Sequence, residues 1–242
     1  MQLLIISDIH GNMQAFYNIT LFIKDKYKLD AMILLGDIID YGMHSNEVVK
    51  LLQELPYPIL CNIRGNHEQA IITKKYDRFS SERGRLCAQY TESVLLQDTW
   101  KYITTEMSDS GMYEFEVAGR HCLSVHGSLE DIYWKSIKPG QDLSMYQKYD
   151  YVFSGHSHLP HFFEEFYTVD DLKYRNKKKT VFINPGSAGQ PRNHNPMAQF
   201  AVLDINTGRV IMEKIPYNIK KEQEAYIGQV DEFYKIRLES GV

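Results

Sequence analysis

Apolar runs too short for helices recur along the chain, at residues 3–6, 31–35, 59–63, 123–125, 151–153 and 181–183. They are rich in Ile, Leu and Val and are nearly unbroken by polar residues. Such runs suit strands covered on both faces, because a half-exposed strand alternates polar and apolar side chains. The segments between the first three read as helices. Asn12 can cap a helix from Met13 to about Lys28 that turns Ala15, Ile19, Phe22 and Ile23 to one side. Ser45 can cap a second that ends near Leu55, ahead of Pro56 and Pro58. Alternating strand and helix predict parallel βαβ units with right-handed crossovers.

Residues 66–106 read as mostly helical, and 112–125 as a hairpin turning near Gly119. Beyond residue 150 the chain is β-rich, with a turn at Asn206-Thr207-Gly208. The tail from Lys220 to Arg237 predicts an amphipathic helix with Val230, Phe233 and Tyr234 inward. At 242 residues, 43% of them hydrophobic, the chain can bury one sizeable core, so a single domain over 1–242 is expected. The expected fold class is α/β, with helices flanking two packed mixed sheets.

Charge narrows the function. The formal net charge is −4 with both signs interspersed, which argues against a binder of long nucleic acid. The one dense basic stretch, Lys177-Lys178-Lys179, reads as a solvated hairpin tip. Cys61, Cys87 and Cys122 are odd in number and widely spaced, which fits a reducing compartment rather than a disulfide framework. The N-terminal MQLLIISDIH lacks a basic segment before its short apolar run, and no stretch approaches the roughly 20 apolar residues of a membrane span. A cytoplasmic protein without membrane partners is expected.

The residues that follow the strands carry the chemistry. Asp8-Ile9-His10 follows the first, and Gly36-Asp37 with Asp40 follows the second. Gly65-Asn66-His67-Glu68 follows the third, His126-Gly127 the hairpin, and Gly155-His156-Ser157-His158 the strand at 151–153. Ligand sites in α/β sheets form beyond the carboxyl ends of strands, so these segments can meet at one rim. Carboxylate mixed with imidazole is the ligand set of borderline divalent metals. The candidates are Asp8, His10, Asp37, Asn66, His126, His156 and His158, more than one ion takes. They suit two ions sharing Asp37, and such pairs sit roughly 3.5–4 Å apart in hydrolytic sites.

These blocks, in this order, resemble the signature of the calcineurin-like metallophosphoesterases. Asn184-Pro185-Gly186-Ser187 and Gly189-Gln190-Pro191-Arg192 resemble the compact bacterial and archaeal phosphodiesterase branch. The resemblance implies a four-layer fold, a two-sheet β-sandwich flanked by helices. It implies one ion held by Asp8, His10, Asp37 and His158, and a second by Asp37, Asn66, His126 and His156. It further implies a phosphodiesterase or phosphatase acting on small phosphate esters through a metal-bridging hydroxide. Asn66 would help neutralise phosphoryl charge, His67 would protonate the leaving group, and Asp40 would orient His67. Manganese is the first expectation for the metal, with Fe, Co, Ni or Zn as alternatives. An oligomer is compatible with the chain.

The sequence departs from the phosphoprotein phosphatases and dinucleoside tetraphosphatases of that family. They carry Asp-Arg-Gly where this chain has Asp40-Tyr41-Gly42. Arg64 and Arg192 are candidates to take over phosphate binding, with a structural ion pair as the other reading of Arg64. Two rival functions are an inert protein-binding scaffold of the same fold and a nuclease or nucleotide hydrolase with the same metal centre. A serine hydrolase is disfavoured, because Leu159 stands where Gly155-x-Ser157 would need a second glycine.

Overall fold

The computed structural model describes residues 1–242. β1 (Gln2–Ile6), β2 (Ala31–Leu34) and β3 (Ile59–Asn62) run parallel, with α1 (Met13–Lys26) and α2 (Ser45–Glu54) in the crossovers. Three helices follow: α3 (Asn66–Thr73), α4 (Glu82–Val94) and α5 (Gln97–Lys101), the last running into a π-helical turn at Tyr102–Glu106. β4 (Met112–Val117) and β5 (Arg120–Val125) form the hairpin, and β6 (Tyr151–Ser154) lies parallel to β5. β7 (His161–Thr168) and β8 (Lys177–Asn184) form a second hairpin, and β9 (Ala198–Asp204) and β10 (Arg209–Ile215) a third. The chain closes with α6 (Ile219–Gln223) and α7 (Phe233–Ser240).

Two mixed five-stranded sheets result, in the orders β10-β9-β1-β2-β3 and β4-β5-β6-β8-β7. The two-residue period of a strand divides its side chains between two cores. Leu3 and Ile5 of β1 join Ile33, Phe153, Ile183 and Leu203 in the core shared by the two sheets. Leu4 and Ile6 face the other way, onto Phe16, Ile19 and Val48 of α1 and α2. This double burial is why the strands lack polar alternation. The outer face of the second sheet is covered by Leu143, Tyr146 and Tyr149 from the long β5–β6 connection. No helix is long and apolar enough to cross a membrane.

The capping residue of α1 is Asn12, whose side chain accepts from the Ala15 amide. On that helix Phe16 is buried, while Phe22 is only partly so. Three expectations need correction. Ser45 is the first residue of α2 rather than its cap, and its Oγ accepts from the Asp40 amide at 3.0 Å. The tail is two short helices, because Gly228 takes a positive φ of 95° and Ile227 is exposed between them. Lys177–Lys179 begin β8 rather than form a tip, which is at residues 169–176.

The ends of five strands meet along one rim. Asp8 N donates to Gly36 O (3.0 Å) and His10 N to Asp37 O (2.9 Å), which locks the loops after β1 and β2 together. Gly155 N donates to His126 O (2.9 Å) and Ala188 N to Ser7 O (3.0 Å), which joins the second sheet to the first.

Candidate metal centre

Asp8, His10, Asp37, His156 and His158 all hold positive φ, between 48° and 62°. For a side chain with a Cβ this conformation costs about 1–2 kcal/mol per residue, and such residues gather at functional sites. The interlocked loop hydrogen bonds hold them there. Glu68, fully buried, adds to the lock: its carboxylate accepts from the amides of Asp37, Ile38, Ile39 and Gly65 at 2.7–3.1 Å. It thus ties the start of α3 to the loop after β2. Gly65 is required by space: a Cβ there would come within 2.0 Å of Asp37 Oδ1.

Two groups of ligand-type side chains result, both containing Asp37. In the first, atoms of Asp8, His10, Asp37 and His158 all lie within 4.8 Å of one another, and in the second so do atoms of Asp37, His126 and His156. Asn66 completes the second, with Oδ1 2.9 Å from His126 Nε2 and 3.0 Å from His156 Nδ1.

The protons of these imidazoles are already committed. His10, His126 and His158 turn Nδ1 to the carbonyls of Ile39, Leu35 and Gln190, at 3.2, 2.6 and 2.5 Å. A neutral ring whose Nδ1–H donates to a carbonyl presents the Nε2 lone pair inward, as His10 and His158 do and as His126 does once its second proton leaves, the usual arrangement of a metal-ligating histidine. His10 and His158 bring their Nε2 atoms within 3.2 Å of each other, and His158 Nε2 is 3.2 Å from Asp8 Oδ1. His10 Nε2 is also 3.7 Å from Asp37 Oδ2, and His126 Nε2 is 3.3 Å from the same oxygen. Asp8 Oδ1 and Asp37 Oδ2 are buried with no hydrogen-bond partner. Buried acceptors facing one another without a donor are unfavourable unless a cation lies among them. The residues therefore fit divalent ions.

Electrostatics agree. Burial drives His10 well below its ordinary pKa, and burial drives His156 and His158 down to about 3 and about 4, so these rings are neutral. Burial also opposes charge on His126, but Asp37 outweighs it and holds that ring up to about 9. Asp37 stays well below the usual carboxylate range despite burial, because His126 and His67 face it.

His67 stands apart from the ligand groups. Its Nδ1 is 2.5 Å from Asp40 Oδ2, and the other Asp40 oxygen accepts from Thr91 Oγ1 at 2.7 Å. Its Nε2 faces the cluster, 3.9 Å from Asp37 Oδ2. Burial would lower its pKa, but Asp37 and Asp40 together raise it.

The cluster floors a cleft of about 360 Å³, whose walls include Tyr41, His67, Arg78, Phe79, Trp134 and Arg192. Phe79 packs edge-on against His67 and Trp134, with centroids 5.0 and 5.4 Å apart. Arg192 thus borders the cleft. Arg64 does not: it donates to the carbonyls of Ile103 and Thr104 at 2.8 Å, at the end of the π-helical turn. The phosphate-binding expectation for Arg64 is therefore corrected; it anchors backbone, and not through the ion pair that was its other reading.

The model of the calcineurin-like phosphoesterase superfamily domain matches residues 1–208. The chain belongs to that superfamily. Calcineurin-like phosphoesterases act on phosphate esters with divalent metals, in keeping with the Asp/His clusters. A metallophosphoesterase of Sphaerobacter thermophilus is 25% identical, with a TM-score of 0.75 and all of both chains covered. A hypothetical protein of Pyrococcus horikoshii OT3 shares the fold at a TM-score of 0.79 and 20% identity, covering 100% of this chain and 98% of its own. An uncharacterized protein of Methanocaldococcus jannaschii is 26% identical over 227 residues, 92% of this chain and 90% of that one.

Tyr41, Arg78, Phe79 and Trp134 are parts of the cleft that no sequence motif marks. Arg78, Phe79 and Trp134 lie in connections where no pattern marks them, and only the packing of the loops after α3 and β5 brings them to the cluster. Glu68 was visible beside His67, but its role depends on loop amides that no sequence pattern reveals.

Proposed function

We propose that the chain is a metal-dependent phosphoric ester hydrolase that cleaves small phosphate esters, diesters included, with residues 1–242 acting as one domain. The observation that carries this reading is the pair of Asp/His groups sharing Asp37, with Asp8 Oδ1 and Asp37 Oδ2 left unpartnered, set beside an imidazole that is not needed as a ligand. Asp8, His10, Asp37 and His158 would hold one ion, and Asp37, Asn66, His126 and His156 the other. The ions, when bound, supply Lewis acidity and lower the pKa of water, the general basis of metal-assisted hydrolysis. Manganese is the first choice, since mixed carboxylate and imidazole sets accept it and availability decides among Mn, Fe, Co, Ni and Zn.

The chain's own groups do the rest. Asn66 would hold the ion through Oδ1, which already faces His126 and His156, and Nδ2 would then donate to a phosphoryl oxygen. His67, whose pKa Asp37 and Asp40 raise against burial, would donate its Nε2 proton to the departing alkoxide or phenoxide. Asp40 holds the His67 Nδ1–H and so fixes the ring's tautomer and direction, while Thr91 steadies Asp40. Phe79 and Trp134 keep water from one side of His67, which strengthens these interactions. Three buried free thiols support a reducing, cytoplasmic location.

The test is a screen of aryl phosphomonoesters and phosphodiesters, then natural nucleotides, with added Mn²⁺, Ni²⁺ or Zn²⁺ and metal analysis alongside. Nitrophenolate release that depends on metal and stops with a chelator is expected. Protein carrying two ions per chain that hydrolyses none of these esters would overturn the reading in favour of a binding scaffold.

A further inference from the structure

Arginine makes two ion pairs in this molecule, Arg78–Asp131 and Arg85–Glu82. Two other arginines beside the cleft have no carboxylate partner. Arg192 lines the cleft, and its amide donates to the His158 carbonyl at 3.4 Å. Arg237, on α7, is only 6% exposed, and its Nε has no hydrogen-bond partner. Its guanidinium carbon sits 5.1 Å from the Phe233 ring centroid and 5.9 Å from that of Tyr41. Tyr41 is itself a wall of the cleft, 4.6 Å from the His10 ring. Arg192 and Tyr41 line the same cleft, and Arg237 lies against the Tyr41 ring, so Tyr41 links the two arginines.

The segments that carry the two arginines are tied together. His194 N, two residues after Arg192, donates to the Gly241 carbonyl at 2.8 Å, which ties the Arg192 loop to the end of α7. Tyr234 stacks on Tyr41 at 4.6 Å, which seats α7 against the cleft wall. Gln223 Nε2 donates to the Lys235 carbonyl at 3.0 Å and secures α6 to α7. A buried guanidinium N–H without an acceptor, as at Arg237 Nε, is costly, and aromatic faces repay only part of that. A second cation borne by the neighbouring Arg192 loop adds to that cost, and an anion shared by the two would relieve it. Burial and then the Arg192 charge lower the Arg237 pKa to about 10, and the charge of a bound anion would raise it again.

We propose that Arg192 and Arg237 form a second anion subsite, which holds a phosphate group of the substrate other than the one being cleaved. It lies one aromatic ring, that of Tyr41, beyond the Asp8, His10, Asp37 and His158 group. The planar fork of arginine suits bidentate contact with phosphate. The substrates favoured are therefore esters with a second phosphate close to the scissile one. This deepens the hydrolase reading and rests on it.

A matched pair of probes tests the subsite: thymidine 5′-(4-nitrophenyl phosphate) with and without a 3′-phosphate, using the full chain with Mn²⁺. The wild type is expected to favour the 3′-phosphorylated probe, mainly through a lower KM. Arg237→Gln should shrink the ratio of kcat/KM between the probes about tenfold, as for loss of one charge-assisted hydrogen bond. Arg237→Lys should restore part of it. A second readout needs no turnover: inorganic phosphate should raise the melting temperature of the wild type and raise that of Arg237→Gln less. Equal losses on both probes, or a phosphate response unchanged in Arg237→Gln, would overturn the subsite. If Arg237→Gln does not fold, Arg192→Gln is read in the same way and decides. If neither probe is cleaved, the hydrolase reading fails and the phosphate response alone settles the subsite.

Discussion

Asp37 is the residue on which the centre turns. Its Oδ2 is the unpartnered oxygen common to both ligand groups, and its Oδ1 accepts from the His67 amide at 2.9 Å. Asp37→Asn keeps the size and that second bond but removes the charge. It should lower bound metal from two ions per chain to one or fewer and cut turnover by on the order of a hundredfold or more; metal analysis and kinetics on one preparation check both. His67→Ala separates chemistry from metal binding. It should keep both ions yet lose about 10²–10⁴-fold in rate, most of all on esters with poor leaving groups. Full activity of that variant on an alkyl phosphodiester would remove His67 from the acid role. His126 makes a third prediction. Held up to about 9 by Asp37 against burial, it is protonated at neutral pH in the metal-free chain, whereas His10, His156 and His158 are neutral. An ion entering beside His126 must displace that proton. Calorimetry in buffers of different ionisation enthalpy should show about one proton released for that ion. Its affinity should rise with pH up to about 9, while that of the ion beside His158 should change little above about pH 4.

At the level of elements, the site depends on how strands end. β1 and β2 end in residues forced to positive φ, and Glu68 at the start of α3 gathers the amides that the turn after β2 exposes. Gly65 lets the β3–α3 turn lie directly against Asp37. Gly65→Ala puts a Cβ onto the Asp37 carboxylate, and the turn or the carboxylate must move. The variant should lose about 1–3 kcal/mol of stability by overpacking. It should also bind less metal, though no ligand has changed. Wild-type metal content in Gly65→Ala would show that the turn has slack. The helices were readable in proportion to their local signals. Asn12 acts as the cap that its position suggests, because its bond to Ala15 is local. Ser45 does not, because its hydroxyl serves the Asp40 amide five residues back. The tail helix breaks because Gly228 leaves the helical conformation between α6 and α7, which the apolar spacing around it does not reveal.

Across the whole molecule, two sheets and their rim loops bury carboxylates and imidazoles together, and stability should follow their charge. His126 has a folded pKa above the ordinary histidine value, so its contribution is complete below about pH 6.5 and fades as pH rises through about 9. His156 and His158 have folded values of about 3 and about 4, so theirs is complete above about pH 6.5 and fades as pH falls. The melting temperature of the chelated chain should therefore peak near pH 6.5 and decline on both sides. Metal should raise it, because ions bind the folded chain and give Asp8 Oδ1 and Asp37 Oδ2 the partner they lack. A chelated chain that melts at the same temperature as the metal-loaded one would contradict the cation-site reading.

The sequence by itself determined what is local or periodic. Unbroken apolar runs meant strands buried on both faces, and β1 indeed divides Leu3 and Ile5 from Leu4 and Ile6 between two cores. The run of Asp, Asn and His residues just past those strands named the residue types that gather at the rim, since each block lies within a few residues of its strand end. Only the tertiary structure decided which nitrogen each histidine turns inward, because that depends on the carbonyls of Leu35, Ile39 and Gln190 in other segments. It also sent Arg64 to backbone carbonyls and brought Arg237 from the far end of the chain to the back of Tyr41. Spacing encodes neighbours along a strand or helix; contact between distant segments is set by packing, which no short pattern records.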